Sequence, residues 1–288
     1  MEPSVSLMRA GLDAGTAHTR CVLIEWVNGR PRLRSASIVP SQGWEQGRIR
    51  SMEALAGVVS AAAMAASIRA GAEIATVTAG YAESFNQMEA LNAALERSGL
   101  RVADYVVEGE AALLATTSDL MRQGGISAAV IGVESTELAY SDLTGGIRTV
   151  TVPMGAREFT EDVASLLDLP FAEAEHQKVT VGSIARVSME QSATPLQEIL
   201  EARAGQYLHM LEFHIEELAG QLPPPGGLIL TGGGACLPGL CDYAEELLQC
   251  PVRLGQVVGV AEWPLELSAP SWAVAAGLAL HGGISHGW

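Results

Sequence analysis

Hydrophobic and polar residues alternate at the start of the chain, and this pattern predicts strands. The segment 8–26 predicts a strand, a glycine-containing turn and a second strand over 20–26, and 33–39 predicts a third. Asn28-Gly29 is a dipeptide preferred in tight antiparallel hairpins. The pattern then changes to helical spacing over 52–70. This opening is antiparallel, which distinguishes it from the strand–helix–strand opening of a Rossmann unit.

The same order of elements returns later in the chain. The first copy continues with strand, helix, strand and helix over 73–79, 88–98, 102–107 and 108–121. The second copy starts about 120 residues after the first, as expected for an internal repeat. Its three strands and two helices are predicted over 128–131, 138–143, 147–153, 159–167 and 172–179. This duplication predicts two lobes of similar topology.

The last third of the chain is dominated by a long amphipathic helix that starts at Pro195. Apolar residues share one face of it and glutamates supply the other, so one face is expected to pack on a core. The apolar face contains Leu196, Ile199, Leu200, Tyr207, Leu208, Leu211, Ile215 and Leu218. A strand at 228–230, a helix at 242–248, a strand at 252–254 and a helix at 272–280 complete the prediction.

Composition narrows the function classes. The 288 residues are 48% hydrophobic and carry a formal net charge of -16. Such an acidic surface repels phosphate backbones and anionic lipids, which argues against nucleic-acid binding and against direct membrane insertion. The four cysteines form no CxxC pair, and buried, reduced thiols in a cytoplasmic protein are the expected state.

The first candidate motif is Gly11-Leu12-Asp13-Ala14-Gly15-Thr16, at the turn between the first two strands. Glycines let backbone N–H groups approach an anion, Thr16 can donate a hydroxyl hydrogen bond, and Asp13 is a metal-side carboxylate. The alternative is an ordinary hairpin turn that contains an acidic residue.

A second glycine-rich turn, Thr231-Gly232-Gly233-Gly234, follows a buried strand, where the backbone could lie against a planar or phosphate group. The alternative is a loose strand-to-helix turn. Glu108 follows another strand and begins a helix. Its carboxylate could orient water, or it could simply stabilise the helix dipole.

These motifs, in this order, resemble the actin, Hsp70 and sugar-kinase ATPase superfamily, in the form found in the bacterial cell-division protein FtsA. Further stretches of the chain resemble FtsA, so the similarity spans nearly its whole length. They include Pro40-Ser41-Gln42-Gly43, Ala70 to Ile74, Glu173 to Lys178, Glu198 to Arg203 and Ser271 to Gly277. The resemblance implies an α/β actin-like ATPase fold, with two duplicated RNase H-like lobes around a nucleotide cleft.

The resemblance also implies roles for single residues toward ATP or ADP with Mg2+. Asp13 would serve the metal and catalysis, and Glu108 would be the water-orienting catalytic residue. The cofactor-binding residues would be Gly11, Gly15, Thr16, Gly132, Ser135, Thr136, Glu175, Lys178, Gly232, Gly233 and Gly234. Glu175 and Lys178 are three residues apart on one predicted helix, so they are expected to reach the same side.

The second phosphate motif departs from the family pattern. Val130 stands where the family has an aspartate, and Val133 and Glu134 replace loop glycines. A carboxylate at a phosphate site faces like charge, worth about 4 kcal/mol at ~4 Å and an effective dielectric near 20. We therefore expect little or no hydrolysis, which would make the protein an ATPase at most and more nearly a pseudo-ATPase.

Two other departures concern inserted and terminal segments. Only a short stretch separates the strand near Tyr81 from the helix near Met88, which leaves no room for the family's 1C subdomain. The residues from His281 to Trp288 lack the basic amphipathic face of a membrane helix. The expected organisation is lobe 1 at 7–126 plus 268–288, lobe 2 at 127–180 plus 226–267, and a reduced 2B-like segment at 181–225.

The expected function is a nucleotide-binding scaffold or adaptor in bacterial cell division. It would be cytoplasmic, recruited to the inner membrane by a protein partner such as an FtsZ-like protein or a membrane-protein peptide, and able to form homo-oligomers. The alternatives are a PilM-like adaptor in pilus assembly, a compact EutJ-like chaperone and a small-molecule kinase of the same superfamily. Val130 argues against the kinase, because phosphoryl transfer needs metal-positioning carboxylates.

Overall fold

The computed structural model describes residues 6–82, 88–184, 192–220 and 224–284. The chain forms two compact units. Unit 1 comprises Met1–Leu120 and Gly255–Trp288, and unit 2 comprises Met121–Leu254. The segment expected to be separate at 181–225 falls within the range of unit 2.

Unit 1 is built on a five-stranded sheet that begins with an antiparallel meander. Asn28 and Gly29 both have positive φ, which fits the tight hairpin predicted there. The last two strands of the sheet run parallel to the first, and the strand order is β3-β2-β1-β6-β7. The strands are β1 (Ser6–Ala14), β2 (His18–Val27), β3 (Arg30–Pro40), β6 (Thr76–Tyr81) and β7 (Arg101–Val107). A ribbon that was not predicted, β4 (Trp44–Glu45) with β5 (Arg48–Ile49), precedes the first helix.

Helices cover both faces of the unit 1 sheet. Leu12 faces a core shared with α1 and α2, whereas Gly11, the next residue along β1, faces α9. This alternation is the two-residue period of a strand covered on both sides. The helices are α1 (Met52–Ala70), α2 (Met88–Arg97), α3 (Glu108–Thr116) and α9 (Ala273–Ile284). The short helix α4 (Asp119–Arg122) contains the boundary between the residue ranges of the two units.

Helix α1 has the length and apolar composition of a membrane-spanning helix. One face of it is buried in the unit 1 core, with residues such as Leu55 and Val59 fully covered. The hydroxyls of Ser35 and Ser37 on β3 donate to carbonyls of α1 at 2.8 and 2.7 Å. These contacts identify α1 as a core helix of unit 1.

Unit 2 repeats the topology of unit 1. Its sheet has the order β10-β9-β8-β11-β12, with an antiparallel meander followed by two strands parallel to the first. The strands are β8 (Ile126–Ile131), β9 (Thr136–Ser141), β10 (Ile147–Val152), β11 (Leu228–Thr231) and β12 (Val252–Leu254). The duplication predicted from the sequence is therefore confirmed strand by strand.

One core of unit 2 lies between its sheet and the helices α5 (Ala156–Leu166), α6 (Phe171–Thr180), α7 (Pro195–Ala219) and α8 (Leu240–Leu248). The apolar face predicted for α7 is confirmed, because Leu200, Tyr207, Leu208 and Leu211 are fully buried. Thr194 caps this helix with its side chain, Pro195 occupies the first turn, and Gly220 ends it in the left-handed region.

Two expectations were wrong. The helix predicted over 108–121 ends at Thr116, and the hydroxyls of Thr116 and Thr117 bond to carbonyls one turn back. Such local bonds compete with helix propagation.

The second expectation concerned the cysteines. Cys21 and Cys250 are buried, as expected, and burial raises the pKa of the Cys21 thiol to about 12. Cys236 is exposed, because it lies in the turn that follows β11.

Candidate functional site

In unit 1 the predicted catalytic carboxylates lie at one edge of the sheet. Asp13 is near the end of β1, and Glu108 is the first residue after β7. Strands β1, β6 and β7 are parallel, with Leu12 beside Ala79 and Tyr81 beside Val107. Since the carboxyl ends of parallel strands meet at one edge, Asp13 and Glu108 belong to the same rim of unit 1.

Asp13 is a nearly buried carboxylate, with a residue exposure of 7%. Burial raises its pKa to about 6, against the opposing effects of Arg20 and of the hydrogen bond from the Gly15 backbone N–H. The closest Arg20 nitrogen, Nη1, is 3.7 Å from Asp13 Oδ2. A buried carboxylate with this weak compensation gains strongly from a further positive charge.

The glycines of the first motif have different roles. A Cβ on Gly11 would lie 2.2 Å from the Ala275 carbonyl oxygen of α9, so Gly11 is required by packing within unit 1. Gly15 and Thr16 lie in the turn and are half-buried. Gly15 and Thr16 therefore lie in the turn itself, whereas Gly11 does not. The ligand-binding roles of Gly15 and Thr16 stay predictions.

Ser41 is a positioning residue that the motif analysis did not single out. Its hydroxyl donates to the Gly15 carbonyl at 2.6 Å and is 2.9 Å from the hydroxyl of Thr19. Its backbone N–H also bonds to the Ala17 carbonyl. Ser41 thus fixes the β1–β2 turn from the end of β3, a long-range contact with no local sequence signal.

Glu108 is half-buried at the N-terminus of α3, whose N-cap, Val107, makes no side-chain cap bond. A Cβ on Gly80 would lie 3.3 Å from Glu108 Cγ, so the small residue at 80 leaves space for this side chain. The role of Glu108 in orienting water stays a prediction.

The two predicted loops of unit 2 also meet at one edge of their sheet. Residues 132–135 follow β8 and the glycines 232–234 follow β11, and Thr231 pairs in parallel register with Val130. A Cβ on Gly232 would lie 2.6 Å from the Ile131 carbonyl oxygen, and one on Gly234 would lie 2.3 Å from Ile131 Cγ2. A Cβ on Gly233 would meet no atom within 4 Å, so this residue is the member of the run that faces open space.

The carboxylate of Glu134 is neutralised by Arg157. Arg157 Nε is 2.8 Å from both Glu134 oxygens, and Nη2 is 2.5 Å from Oε1. The repulsion estimated from the sequence assumed an uncompensated carboxylate at this loop. That assumption was wrong, because the counter-ion comes from α5, 23 residues further along the chain.

Glu175 and Lys178 lie on the same side of α6, as predicted, and form an ion pair of 2.8 Å. Lys178 Nζ also donates to the Ala156 carbonyl at 3.0 Å and to the Thr160 hydroxyl at 2.7 Å, and that hydroxyl in turn donates to Glu175. The pair therefore joins α6 to the N-terminus of α5, next to the 132–135 loop.

The side chain of Thr136 is buried in the core of unit 2. The residue is fully buried, its hydroxyl donates to the Met154 carbonyl at 2.8 Å, and the Tyr207 hydroxyl lies 2.7 Å away. The two-residue period of β9 turns Thr136 toward the α7 core, and its assignment as a nucleotide contact stays a prediction. Gly132 and Ser135 remain in the loop, where the Gly132 N–H donates to the Ser135 carbonyl at 2.9 Å.

Glu137 was missed by the motif analysis. It is 1% exposed and lies on β9 directly opposite Val130, so a buried carboxylate lies beside the position at which this chain has valine and the family has aspartate. Among residues 6–82, 88–184, 192–220 and 224–284, no cluster of three or more His, Cys, Asp or Glu side chains could hold a metal ion.

The duplicated sheets, with glycine, hydroxyl and carboxylate groups at their carboxyl edges, place the chain among proteins of the actin-like ATPase fold. A chain of the PilM–PilN type IV pilus biogenesis complex superposes with a TM-score of 0.77 at 19% identity, covering 98% of this chain and 99% of that chain. The ethanolamine utilization protein EutJ from Carboxydothermus hydrogenoformans gives 0.73 at 18% identity, covering 95% and 89%. MreB5 of Spiroplasma citri bound to ADP gives 0.67 at 17% identity, covering 97% and 99%.

Sequence comparison narrows this class further. The model of the cell division protein FtsA family matches residues 124–277, more than half of the chain. The chain therefore belongs to the FtsA family. FtsA of Borreliella burgdorferi is 27% identical over 232 residues, and FtsA of Pseudomonas aeruginosa is 25% identical over 233. The alignments cover 74% and 75% of this chain, which spans about half the length of these relatives, 55% in each case.

Proposed function

We propose that this protein is a nucleotide-binding scaffold of bacterial cell division that hydrolyses ATP weakly or not at all. The observation that carries the proposal is membership of the FtsA family, taken with carboxylate and glycine groups at the carboxyl edges of both sheets. In this account it works in the cytoplasm and is recruited to the inner membrane by a protein partner.

The proposed ligand is ATP or ADP with Mg2+. Gly15 and Thr16 would contact phosphate oxygens, and Asp13 would hold Mg2+ through its water shell. The fit is supported by the buried Asp13 carboxylate, because burial raises its pKa to about 6 against the opposing effect of Arg20. A carboxylate is the ligand type that Mg2+ prefers, and the ion would supply charge neutralisation for the phosphates.

Unit 2 carries the residues proposed to contact adenosine. Gly233 faces open space directly after β11, and Glu175 pairs with Lys178 on α6. Because Lys178 is already engaged by three oxygen atoms, its proposed contribution is to position Glu175 for the ribose and purine. Gly232 and Gly234 would shape the loop through their contacts with Ile131.

Weak hydrolysis follows from position 130. Val130 supplies no carboxylate to hold the metal's water shell, and phosphoryl transfer depends on metal-positioning groups. Glu108 would still orient a water molecule, because it is half-buried at the rim of unit 1. Binding without efficient turnover is the behaviour expected of a scaffold that responds to the bound nucleotide.

The proposed partner is a protein. The net charge of -16 favours a basic or neutral protein surface over nucleic acid. An FtsZ-like protein is the first candidate, because the relatives that match over most of this chain are cell division proteins. Assembly of several copies into a homo-oligomer belongs to the same proposal.

Calorimetry and a turnover assay test the proposal together. Titration with ADP and ATP, with and without Mg2+, should give saturable binding, while phosphate release stays far below about 1 s⁻¹, the low end of typical enzyme turnover. Efficient turnover would contradict the scaffold role. Absence of binding to every adenine nucleotide by folded protein would make the chain a nucleotide-independent interaction module.

A pilus-assembly adaptor is the second candidate function. The observation that favours it is coverage: the chain matches 99% of a chain in the PilM–PilN complex but about half of the curated FtsA relatives. This candidate predicts binding to a short cytoplasmic peptide of a membrane protein. Titration of such peptides and of FtsZ in parallel separates the two functions, and a compact EutJ-like chaperone would instead bind unfolded client protein.

A further inference from the structure

We propose that the Glu134 carboxylate is a built-in substitute for a ligand's terminal phosphate at the 132–135 loop, with Arg157 as its cation. The proposal rests on the function proposed above and adds a specificity: the loop discriminates against the nucleotide that carries one more phosphate. Glu134 is then a specificity-determining residue. With this carboxylate the protein favours ADP over ATP more strongly than it would without it.

The geometry of the pair is that of an arginine recognising an oxyanion. Three N···O distances of 2.5 to 2.8 Å join the guanidinium to the carboxylate. Bidentate contacts of this kind are also how arginine holds phosphate. Glu134 therefore occupies the contacts that a phosphate at this loop would need from Arg157.

The N-terminus of α5, which lies beside the loop, also has its hydrogen-bond donors already occupied. The N–H groups of Ala156 and Arg157 donate to the carbonyls of Gly132 and Val133, each at 2.9 Å. A Cβ on Gly155 would lie 2.5 Å from the Val133 carbonyl oxygen, so the helix approaches the loop backbone directly. Amides at helix N-termini commonly bind anions, but these two are saturated by the loop itself.

A further contact holds Arg157 in place. Its guanidinium carbon lies 5.2 Å from the ring centroid of Phe171, whereas the exposed Glu161 Oε1 is 3.9 Å from Nη1 and contributes little to its position. The hydrogen bonds that Arg157 donates to Glu134 raise the pKa of Arg157, so it stays charged at every accessible pH. A terminal phosphate at this loop would have to displace a restrained and well-paired carboxylate, and the proposal has the shorter diphosphate end before the loop.

The experiment compares ADP and ATP affinities by calorimetry, with Mg2+, in four proteins. These are the wild type, Glu134→Gln, the matched control Glu161→Gln, and the double variant Glu134→Gln/Arg157→Gln. Glu161 is a suitable control because it is a more exposed carboxylate near the same arginine. Glu134→Ala serves as a second variant if the glutamine variant fails to fold.

Glu134→Gln should raise the affinity for ATP relative to ADP by about tenfold, which corresponds to about 1.4 kcal/mol. Glu161→Gln should keep the wild-type ratio, and the double variant should lose the gain. An unchanged ratio in Glu134→Gln, or an equal gain in Glu161→Gln, overturns this inference and leaves the proposed function standing. If neither wild type nor the folded variants bind any adenine nucleotide, the proposed function itself fails.

Discussion

Asp13 and Arg20 lie directly opposite each other in the antiparallel β1–β2 pair, and their closest charged atoms are 3.7 Å apart. Their separation is longer than a hydrogen bond, and the carboxylate is buried. Burial therefore outweighs the attraction of Arg20, and the pKa of Asp13 rises from 3.8 to about 6. The buried acid thus lowers stability at neutral pH while preparing the site for a cation.

This raised pKa predicts a pH-dependent stability. The folded protein binds more protons than the unfolded chain between pH 3.8 and about 6, so the contribution of Asp13 to the free energy of unfolding falls as pH rises through that window. Chemical denaturation at pH 4 and pH 7 measures it. Relative to Asp13→Asn, the wild type should lose about 2–3 kcal/mol between these values. Parallel stability curves for the two proteins would contradict this account of Asp13.

Substitutions in the glycine run should separate packing from ligand contact. Gly232→Ala introduces a Cβ against the Ile131 backbone at a φ of 83°, so it should destabilise unit 2 by about 2 kcal/mol or more. Gly233→Ala should leave the melting temperature nearly unchanged, because its Cβ enters open space, and should instead weaken nucleotide binding. Thermal melts and calorimetry on both variants check this. A stable Gly232→Ala, or a Gly233→Ala that binds normally, would contradict the assignment.

The hydrogen bond between Thr136 and Tyr207 should contribute to stability alone. Tyr207→Phe leaves the fully buried Thr136 hydroxyl without its Tyr207 partner, at a cost of about 1–2 kcal/mol in the free energy of unfolding. Denaturant titration measures the loss, with Tyr243→Phe on the partly buried α8 as the control. Nucleotide affinity should not change, and a marked change would return Thr136 to the ligand site.

Position 130 should not accept the aspartate typical of the family. Val130 is buried and directly opposite the buried Glu137, and like charges in that register repel. Val130→Asp should therefore be less stable than Val130→Asn by about 1 kcal/mol or more. In the Glu137→Gln background this difference should shrink, which a double-mutant cycle by denaturant unfolding tests. An equal difference in both backgrounds would show that Glu137 does not restrict position 130.

The fold could be predicted from the sequence where the signal is periodic. The alternation in the meanders and the helical spacing of α7 identified their elements, and the duplication predicted two sheets of the same order. The ribbon at 44–49 was missed because strands of two residues have no period. The helix break after Thr116 depends on hydroxyl bonds that compete with the helix, which hydrophobic spacing does not record.

The site was less predictable because its important contacts are long-range. The motifs identified Asp13, near the end of β1, and Glu108, directly after β7, and the structure brings both to one edge of the unit 1 sheet; their catalytic roles stay predictions. The motifs could not show that Glu134 is paired with Arg157 or that Ser41 fixes the first turn, because these partners are 23 and 26 residues apart. Nor could they separate glycines that serve packing, such as Gly11, from Gly233.

The most direct test of the central claim is the effect of Mg2+ on ADP affinity in wild type and Asp13→Asn. Calorimetry with and without Mg2+ should show tighter ADP binding with the ion in the wild type, and this gain should vanish in Asp13→Asn. Glu45→Gln, a variant of an exposed unit 1 carboxylate, should behave like the wild type. ADP binding that is absent in all three folded proteins, or a Mg2+ effect that survives in Asp13→Asn, would contradict the account.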